Sequence, residues 1–231
     1  MSEENIQPII SARSLTRIYR VGDTEVVGIK NIDLQIATGE LAVVKGNSGS
    51  GKSTLLSLIA GLDHPTRGEL VVADHDLKKR LDRDLTRFRR EVVGMVFQTF
   101  NLLPTLNVVE NACLPALLAG KSFSESRRKA IELLDWLGLD KRLTHLPAQL
   151  SGGEMQRTAI ARALINDPSI ILADEPTGNL DSRNGRIVID LLSELNRQWG
   201  TTVIIATHSN LADSIATMQI GLRDGVIMDQ S

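Results

Sequence analysis

The chain has 231 residues, 42% of them hydrophobic, a formal net charge of -2 and a single cysteine, Cys113. That length and apolar content support one large domain or a core with a subdomain. The charge gives no basic footprint for nucleic acid, one cysteine excludes an internal disulfide, and no run of about 18 apolar residues is available to span a bilayer.

The start, MSEENIQPII, carries acids where a secretory signal needs a basic stretch and a long apolar one, so a soluble cytoplasmic chain is expected. Short β-rich runs then alternate with helical patterns, which predicts an α/β fold with a largely parallel sheet. Leu41-Ala42-Val43-Val44 suits a buried parallel strand, and Leu55, Leu56, Leu58, Ile59 and Leu62 suit a buried helix. Between them residues 46–53, GNSGSGKS, fit G-x-x-x-x-G-K-[ST]. Strand, loop and helix in that order are what phosphate binding needs. Gly46, Gly49 and Gly51 let backbone N–H groups curl around a β-phosphate at the positive end of a helix. Lys52 adds a mobile charge for the β and γ phosphates, and the Ser53 hydroxyl can hold Mg²⁺. A glycine turn that merely caps a helix leaves Lys52 unexplained.

Between about Gln98 and Leu164 strand-like runs vanish. Ser122 with Glu125 forms a capping-box pattern there, and Ala130, Leu133, Leu134 and Leu137 follow helical spacing, so this stretch reads as a helical insertion. Cys113 within it is expected in the core. Residues 150–164, LSGGEMQRTAIARAL, open on a second such pattern, Ser151 with Glu154, ahead of Met155, Thr158, Ala159, Arg162 and Ala163 at helical spacing. Gly152 and Gly153 each cost such a helix about 1 kcal/mol against alanine, and a serine cap does not require them. What they add to a capped helix is bare backbone N–H that a large anion can approach.

Residues 170–175, IILADE, read as a central strand ending in two carboxylates, the place where open α/β sheets bind ligands. Asp174 suits a magnesium shell and Glu175 an attacking water, with a solvated acidic loop as the alternative. Asp181 with Ser182 can cap the following helix, whose Val188, Leu191, Leu192, Leu195 and Trp199 form a stripe assigned to the core. Residues 202–207 read as a strand that ends at His208. His64, His75 and His145 show no metal spacing and are expected on surfaces or turns. Apolar runs around Arg223-Asp224-Gly225 predict a closing hairpin.

In combination, GNSGSGKST, Gln98, LSGGEMQR, IILADE and His208 resemble the nucleotide-binding subunits of ATP-binding cassette (ABC) transporters over nearly the whole chain. The resemblance implies a P-loop NTPase (RecA-like) core with a parallel sheet, an antiparallel β subdomain and a helical signature subdomain. Residues 1–97 and 165–231 would form the core and 98–164 the helical part. It also implies an ATPase working as two copies with ATP and Mg²⁺ as cofactors. One copy would hold the nucleotide through Gly46, Asn47, Ser48, Gly49, Ser50, Gly51, Lys52, Ser53 and Thr54, and the other would complete the site with Ser151, Gly152 and Gly153. Tyr19 would stack on adenine, a half-buried strand tyrosine being the rival reading. Gln98 would touch the metal or the attacking water, its alternative being an exposed loop glutamine. Asp181 would lie in the loop that crosses the dimer seam, and His208 would hydrogen-bond the γ-phosphate. The implied catalytic set is thus Glu175, His208 and Gln98, and the metal set Ser53, Gln98 and Asp174.

Departures from the family pattern are Asn47 for a common proline, Ser209 for a common aspartate, and Glu154 and Met155 for common glutamines; none removes a ligand group. FQTFNLLPTLNVVENACLPALLAG and ILADEPTGNLDS are similar to the lipoprotein-release, macrolide-export and cell-division branch, LolD, MacB and FtsE. A chain without the long C-terminal extension of many sugar importers is expected. That branch implies an FtsX/MacB-like integral-membrane permease as partner, no nucleic acid, and a peripheral position on the cytoplasmic face of the bacterial inner membrane. Export or extraction of a cargo and ATP-driven force transmission without cargo both remain open.

Overall fold

In the computed structural model, residues 8–78 and 82–231 are described, so the acidic start at 1–7 lies outside the described residues. A long hairpin of β1 (Pro8–Val21) and β2 (Thr24–Ala37) leads to β3 (Leu41–Lys45), the glycine loop and α1 (Lys52–Ile59). β4 (Arg67–Val72), β5 (His75–Asp76), α2 (Asp82–Glu91) and β6 (Val93–Phe97) follow. Then come α3 (Val108–Leu118), α4 (Phe123–Trp136) and α5 (Gly152–Leu164), with no strand among them. The chain closes through β7 (Ile170–Asp174), α6 (Ser182–Trp199), β8 (Thr202–Thr207), β9 (Met218–Arg223) and β10 (Val226–Gln230).

The central sheet has the order β10-β9-β3-β8-β7-β6. β9, β3, β8, β7 and β6 run parallel, and β10 pairs antiparallel with β9. β3, β7 and β8 are apolar along their middles, 41–44, 170–173 and 203–206, because both faces are covered there. Ala42, Val44, Leu172, Ile204 and Ala206 point to one cluster, where α1 packs against β1, β2 and β4. Their neighbours Val43, Ile171, Ala173, Val203 and Ile205 point to the opposite cluster, formed with α3, α4, α5 and α6. The period-two alternation of a strand thus feeds two cores from one run of residues. A second, antiparallel sheet of order β2-β1-β4-β5 covers the outer side of α1.

Several local expectations hold in detail. Ala130, Leu133, Leu134, Leu137 and Cys113 are buried, and burial pushes the Cys113 thiol up to about 11. The closing hairpin turns at Asp224 and Gly225, both at positive φ, 50° and 80°, as a type I′ turn requires. Others need correction. Leu62 falls beyond α1, which ends at Ile59, and is 51% exposed, because a turn carries the chain away from the core at Gly61, φ 63°. Trp199, placed in the core by its spacing, is 48% exposed at the last turn of α6, where its ring packs on Trp136 at 5.1 Å. At α4 the Ser122 hydroxyl accepts from the Glu125 amide, which is half of the expected box. No helix among the described residues is long and apolar enough to cross a membrane.

Candidate active site

Parallel strands bring their C-terminal ends to one edge of the sheet, so the loops after β3, β6, β7 and β8 converge there. They wall a cleft of ≈ 630 Å³ lined by Asn47, Ser48, Gly49, Gly51, Lys52, Ser53, Thr54, Gln98, Glu175, His208 and Tyr19. The loop between β3 and α1 takes its shape from glycine. Gly49 and Gly51 lie at φ 81° and 104°, and a Cβ on Gly51 would stand 2.5 Å from the Gly28 carbonyl oxygen. α1 starts without a side-chain cap. Among the described residues nothing accepts from the N–H groups of Gly49, Gly51, Lys52 or Ser53, which leaves a concave set of donors at a positive helix end. Lys52 is 6% exposed, and its Nζ donates to the carbonyls of Gly46 at 2.7 Å and Asn47 at 3.2 Å, 3.5 Å from Glu175 Oε1. Gly46 and Ser50 stand behind the cleft wall: Ser50 is buried, its amide donates to Asn47, and a Cβ on Gly46 would strike its Oγ.

At the end of β7, Asp174 faces the Ser53 hydroxyl, and one of its carboxylate oxygens is buried without a partner. Burial pushes the Asp174 carboxyl above its ordinary range, the Ser53 hydroxyl opposes that, and Glu175 adds to it. An orphaned buried carboxylate oxygen beside a hydroxyl is a donor set that a hard cation satisfies. Glu175 occupies left-handed backbone, φ 45°, uncommon for a residue with a Cβ. Its carboxylate is pinned by Thr207 Oγ1 at 3.0 Å, His208 Nδ1 at 2.9 Å and the His208 amide at 3.4 Å. Burial raises its pKa, but the bonds from His208 and Thr207 outweigh this and hold the carboxyl below its usual value. An ionised carboxylate with fixed orientation can take a proton from water. Gln98 enters from the end of β6, its amide side chain against Gly178 and its carbonyl accepting from Asn179 Nδ2 at 2.9 Å.

Tyr19 lines the far end of the cleft beside Gly28, where any Cβ would meet its ring at 2.8 Å. Ser151, Gly152, Gly153 and Asp181 lie outside this cleft. Ser151 caps α5 reciprocally with Glu154: the Ser151 amide donates to Glu154 Oε2 at 2.8 Å and the Glu154 amide to Ser151 Oγ at 3.3 Å. Among the described residues no acceptor takes the N–H of Gly152 or Gly153. Asp181 caps α6 through the Asn184 amide at 2.8 Å and holds Asn184 Nδ2 at 2.7 Å. Among the described residues there is no cluster of His, Cys, Asp and Glu built for a metal.

Sequence reasoning missed Gly28, Thr207 and Asn184. A lone glycine inside the strand pattern was a signal of close approach at Gly28. Thr207 and Asn184 carry no such signal, because their roles depend on which loops meet.

Three comparisons bear on this geometry. The ABC transporter family profile matches residues 29–178. The lipoprotein-releasing system ATP-binding protein LolD of Alcanivorax borkumensis is 41% identical over 96% of this chain and 98% of its own. The macrolide export ATP-binding/permease protein MacB of Hyphomonas neptunium is 45% identical over 97% of this chain, which spans 35% of that longer protein. Among solved structures, the dimeric bacterial cassette MJ0796 superposes with a TM-score of 0.90 at 41% identity, covering 96% of this chain and 97% of that one. Its dimer in a post-hydrolysis state bound to ADP and Pi gives 0.89 at 40% identity, over 96% and 97%. With a phosphate loop, a capped glycine-pair helix and a paired Glu175 and His208 on this fold, the chain belongs to the ABC transporter family as an ATP-hydrolysing cassette.

Proposed function

We propose that two copies of this chain close face to face around two MgATP and use hydrolysis to drive a separate membrane subunit of the FtsX/MacB type. That subunit exports or extracts a substrate across or from the bacterial inner membrane, with the cassettes on its cytoplasmic face. The observation that carries the dimer is the position of Ser151, Gly152 and Gly153: the two glycine amides, which no acceptor among the described residues takes, and the exposed Ser151 lie outside the cleft of their own chain. The solved relatives described as dimeric, and the relatives named as transporter subunits, support the same reading.

In this reading the loop amides of Gly49, Gly51 and Ser53 hold phosphate oxygens, and Lys52 exchanges its two carbonyl partners for the β and γ phosphates. Ser53, Asp174 and Gln98 would hold Mg²⁺, which supplies charge neutralisation between the phosphates. Gly153 of the partner copy donates to the γ-phosphate, and Ser151 does so by exchanging its hydroxyl bond to Glu154 for one to the phosphate. Glu175, held by Thr207 and His208, orients the attacking water and accepts its proton, and His208 steadies the γ-phosphate. Once the γ-phosphate leaves, the amides that joined the two copies lose their shared acceptor, and the halves part. Residues 98–164 act as the helical subdomain and 1–97 with 165–231 as the core.

Glu175→Gln keeps the shape of the site and removes the base, so it should bind MgATP with hydrolysis halted and accumulate as a dimer measured by light scattering. A variant that stays monomeric in saturating MgATP rejects the sandwich. Purification from gently solubilised membranes should bring down a permease with a large periplasmic domain; a multi-span importer subunit instead would overturn the branch.

A further inference from the structure

We infer that Arg17 and Asp63 are positioning residues that fix Tyr19 as a platform for a purine base, an inference that rests on the nucleotide reading above. Arg17 and Tyr19 are two apart on β1 and share one side of the strand. Asp63 follows α1, and its amide donates to the Ser57 carbonyl at 3.3 Å. The Arg17 guanidinium grips Asp63 through two bonds, Nε to Oδ2 at 2.8 Å and NH2 to Oδ1 at 2.7 Å. The Tyr19 hydroxyl donates to the same Oδ2 at 2.9 Å, and Arg17 Cζ lies 4.6 Å from the centroid of the Tyr19 ring.

These contacts do different things. A tyrosine hydroxyl lies on the axis about which its ring turns, so the bond to Asp63 fixes the tip and leaves the plane free. A guanidinium over one face removes that remaining freedom. Both groups are needed for one orientation, and both are partly buried, with side-chain exposures of 25% for Arg17 and 21% for Asp63. The covered face also changes chemically, because a cation draws π-density toward itself and leaves the opposite face better suited to an electron-rich purine. Asp63 ties the platform to the end of α1, whose other end is the phosphate loop. The helix therefore sets the distance from base to phosphate. Since this grip presents a ring face and no hydrogen-bonding edge to the base, it favours purines by stacking without reading adenine against guanine.

Steady-state hydrolysis of MgATP, with inorganic tripolyphosphate as a competitor that lacks a base, separates positioning from general damage. Arg17→Ala should raise KM for MgATP and for MgGTP about three- to tenfold, leave kcat within about twofold, and leave the inhibition constant of tripolyphosphate unchanged. Arg17→Lys should recover part of the loss, and Tyr19→Phe, which loses only the bond to Asp63, should lie between the two. In a Tyr19→Ala background Arg17→Ala should add nothing. Equal weakening of MgATP and tripolyphosphate, the same cost with and without Tyr19, or an unchanged KM in Arg17→Ala overturns the inference while the nucleotide reading stands. A wild-type chain with no saturable hydrolysis of MgATP removes both.

Discussion

Two helices of this molecule begin on glycines, and they begin in opposite ways. α1 starts from Gly51 in left-handed backbone, with no side-chain cap and a buried lysine as its first residue. α5 starts from Ser151 in extended backbone, with its cap completed by Glu154 and its glycines in ordinary helical geometry. Gly51 is required by φ and by the Gly28 carbonyl. Gly153 is favoured by a neighbour that a larger residue would displace, since a Cβ there would stand 2.3 Å from Asn184 Oδ1. In the proposed reading one helix start is a phosphate cradle finished within its own chain. The other is locally capped, and its two glycine amides, without an acceptor among the described residues, would meet one brought by a second copy. A helix N-terminus alone therefore does not define a nucleotide site; what surrounds it decides whether it is a floor or a lid.

Breaking the cradle should cost most. Lys52→Ala removes the one buried cation of the loop, and hydrolysis should fall on the order of 100-fold or more with lost phosphate binding; near-normal turnover would contradict its role. Gly51→Ala forces a Cβ against backbone, which cannot yield as a side-chain tip can. A strain of about 1–3 kcal/mol is expected, seen as a lowered thermal midpoint together with loss of MgATP binding. An unshifted midpoint would mean that the loop is more plastic than its φ of 104° implies.

How much of this was legible before the structure depends on whether a feature is written in neighbouring residues. The strands at 41–45, 170–174 and 202–207, the loop at 46–53 and the cap at 151–154 are local patterns, and each is where its residues point. The edge where Lys52, Gln98, Glu175 and His208 meet depends on the order β3-β8-β7-β6, which no single stretch encodes; the family resemblance supplied it. Thr207 pinning Glu175 and Asp63 gripping Arg17 lie 32 and 46 residues apart along the chain, so spacing could not find them. Trp199 shows the reverse error. Its helical spacing was right, but the stripe runs past the end of the core, and there it packs on the ring of Trp136 and stays about half exposed.

At the second helix start the same substitution should behave differently. The atom that a Gly153→Ala methyl meets is the end of a side chain, and Asn184 can turn away by giving up its bond to Asp181. Alanine also gains about 0.5–1 kcal/mol in a helix. Stability should therefore change by no more than about 1 kcal/mol, while hydrolysis falls much further because the amide face is crowded and the Asp181 loop disturbed. Adding Asn184→Ala should restore the thermal midpoint without restoring hydrolysis. Recovery of both would place the whole effect in packing and none in the bare amides.

The smallest effect isolates the cap itself. The Arg142 guanidinium, 2.7 Å from Glu154 Oε1, together with the Ser151 amide and hydroxyl, holds the Glu154 carboxyl down at about 2 against an ordinary 4.5. Because the folded value is the lower one, the cap's contribution is complete above pH 4.5 and fades as acid takes the carboxyl through about 2. Glu154 is ionised across the working range, so its bond from Ser151 Oγ at 2.8 Å is maintained there and the serine hydrogen is directed inward. Arg142→Ala removes the largest single cause and leaves Ser151, so the carboxyl should titrate between those two values, followed by the NMR shift of its carboxyl carbon. The amides of Glu154 and Met155 should lose exchange protection at a correspondingly higher pH, with hydrolysis near neutrality almost unchanged. If the titration stays at about 2 without Arg142, the cap is held by α5 alone, and the contrast with α1 becomes sharper: one helix start would owe its form wholly to its own first turn, the other to a left-handed glycine packed against the distant Gly28 carbonyl.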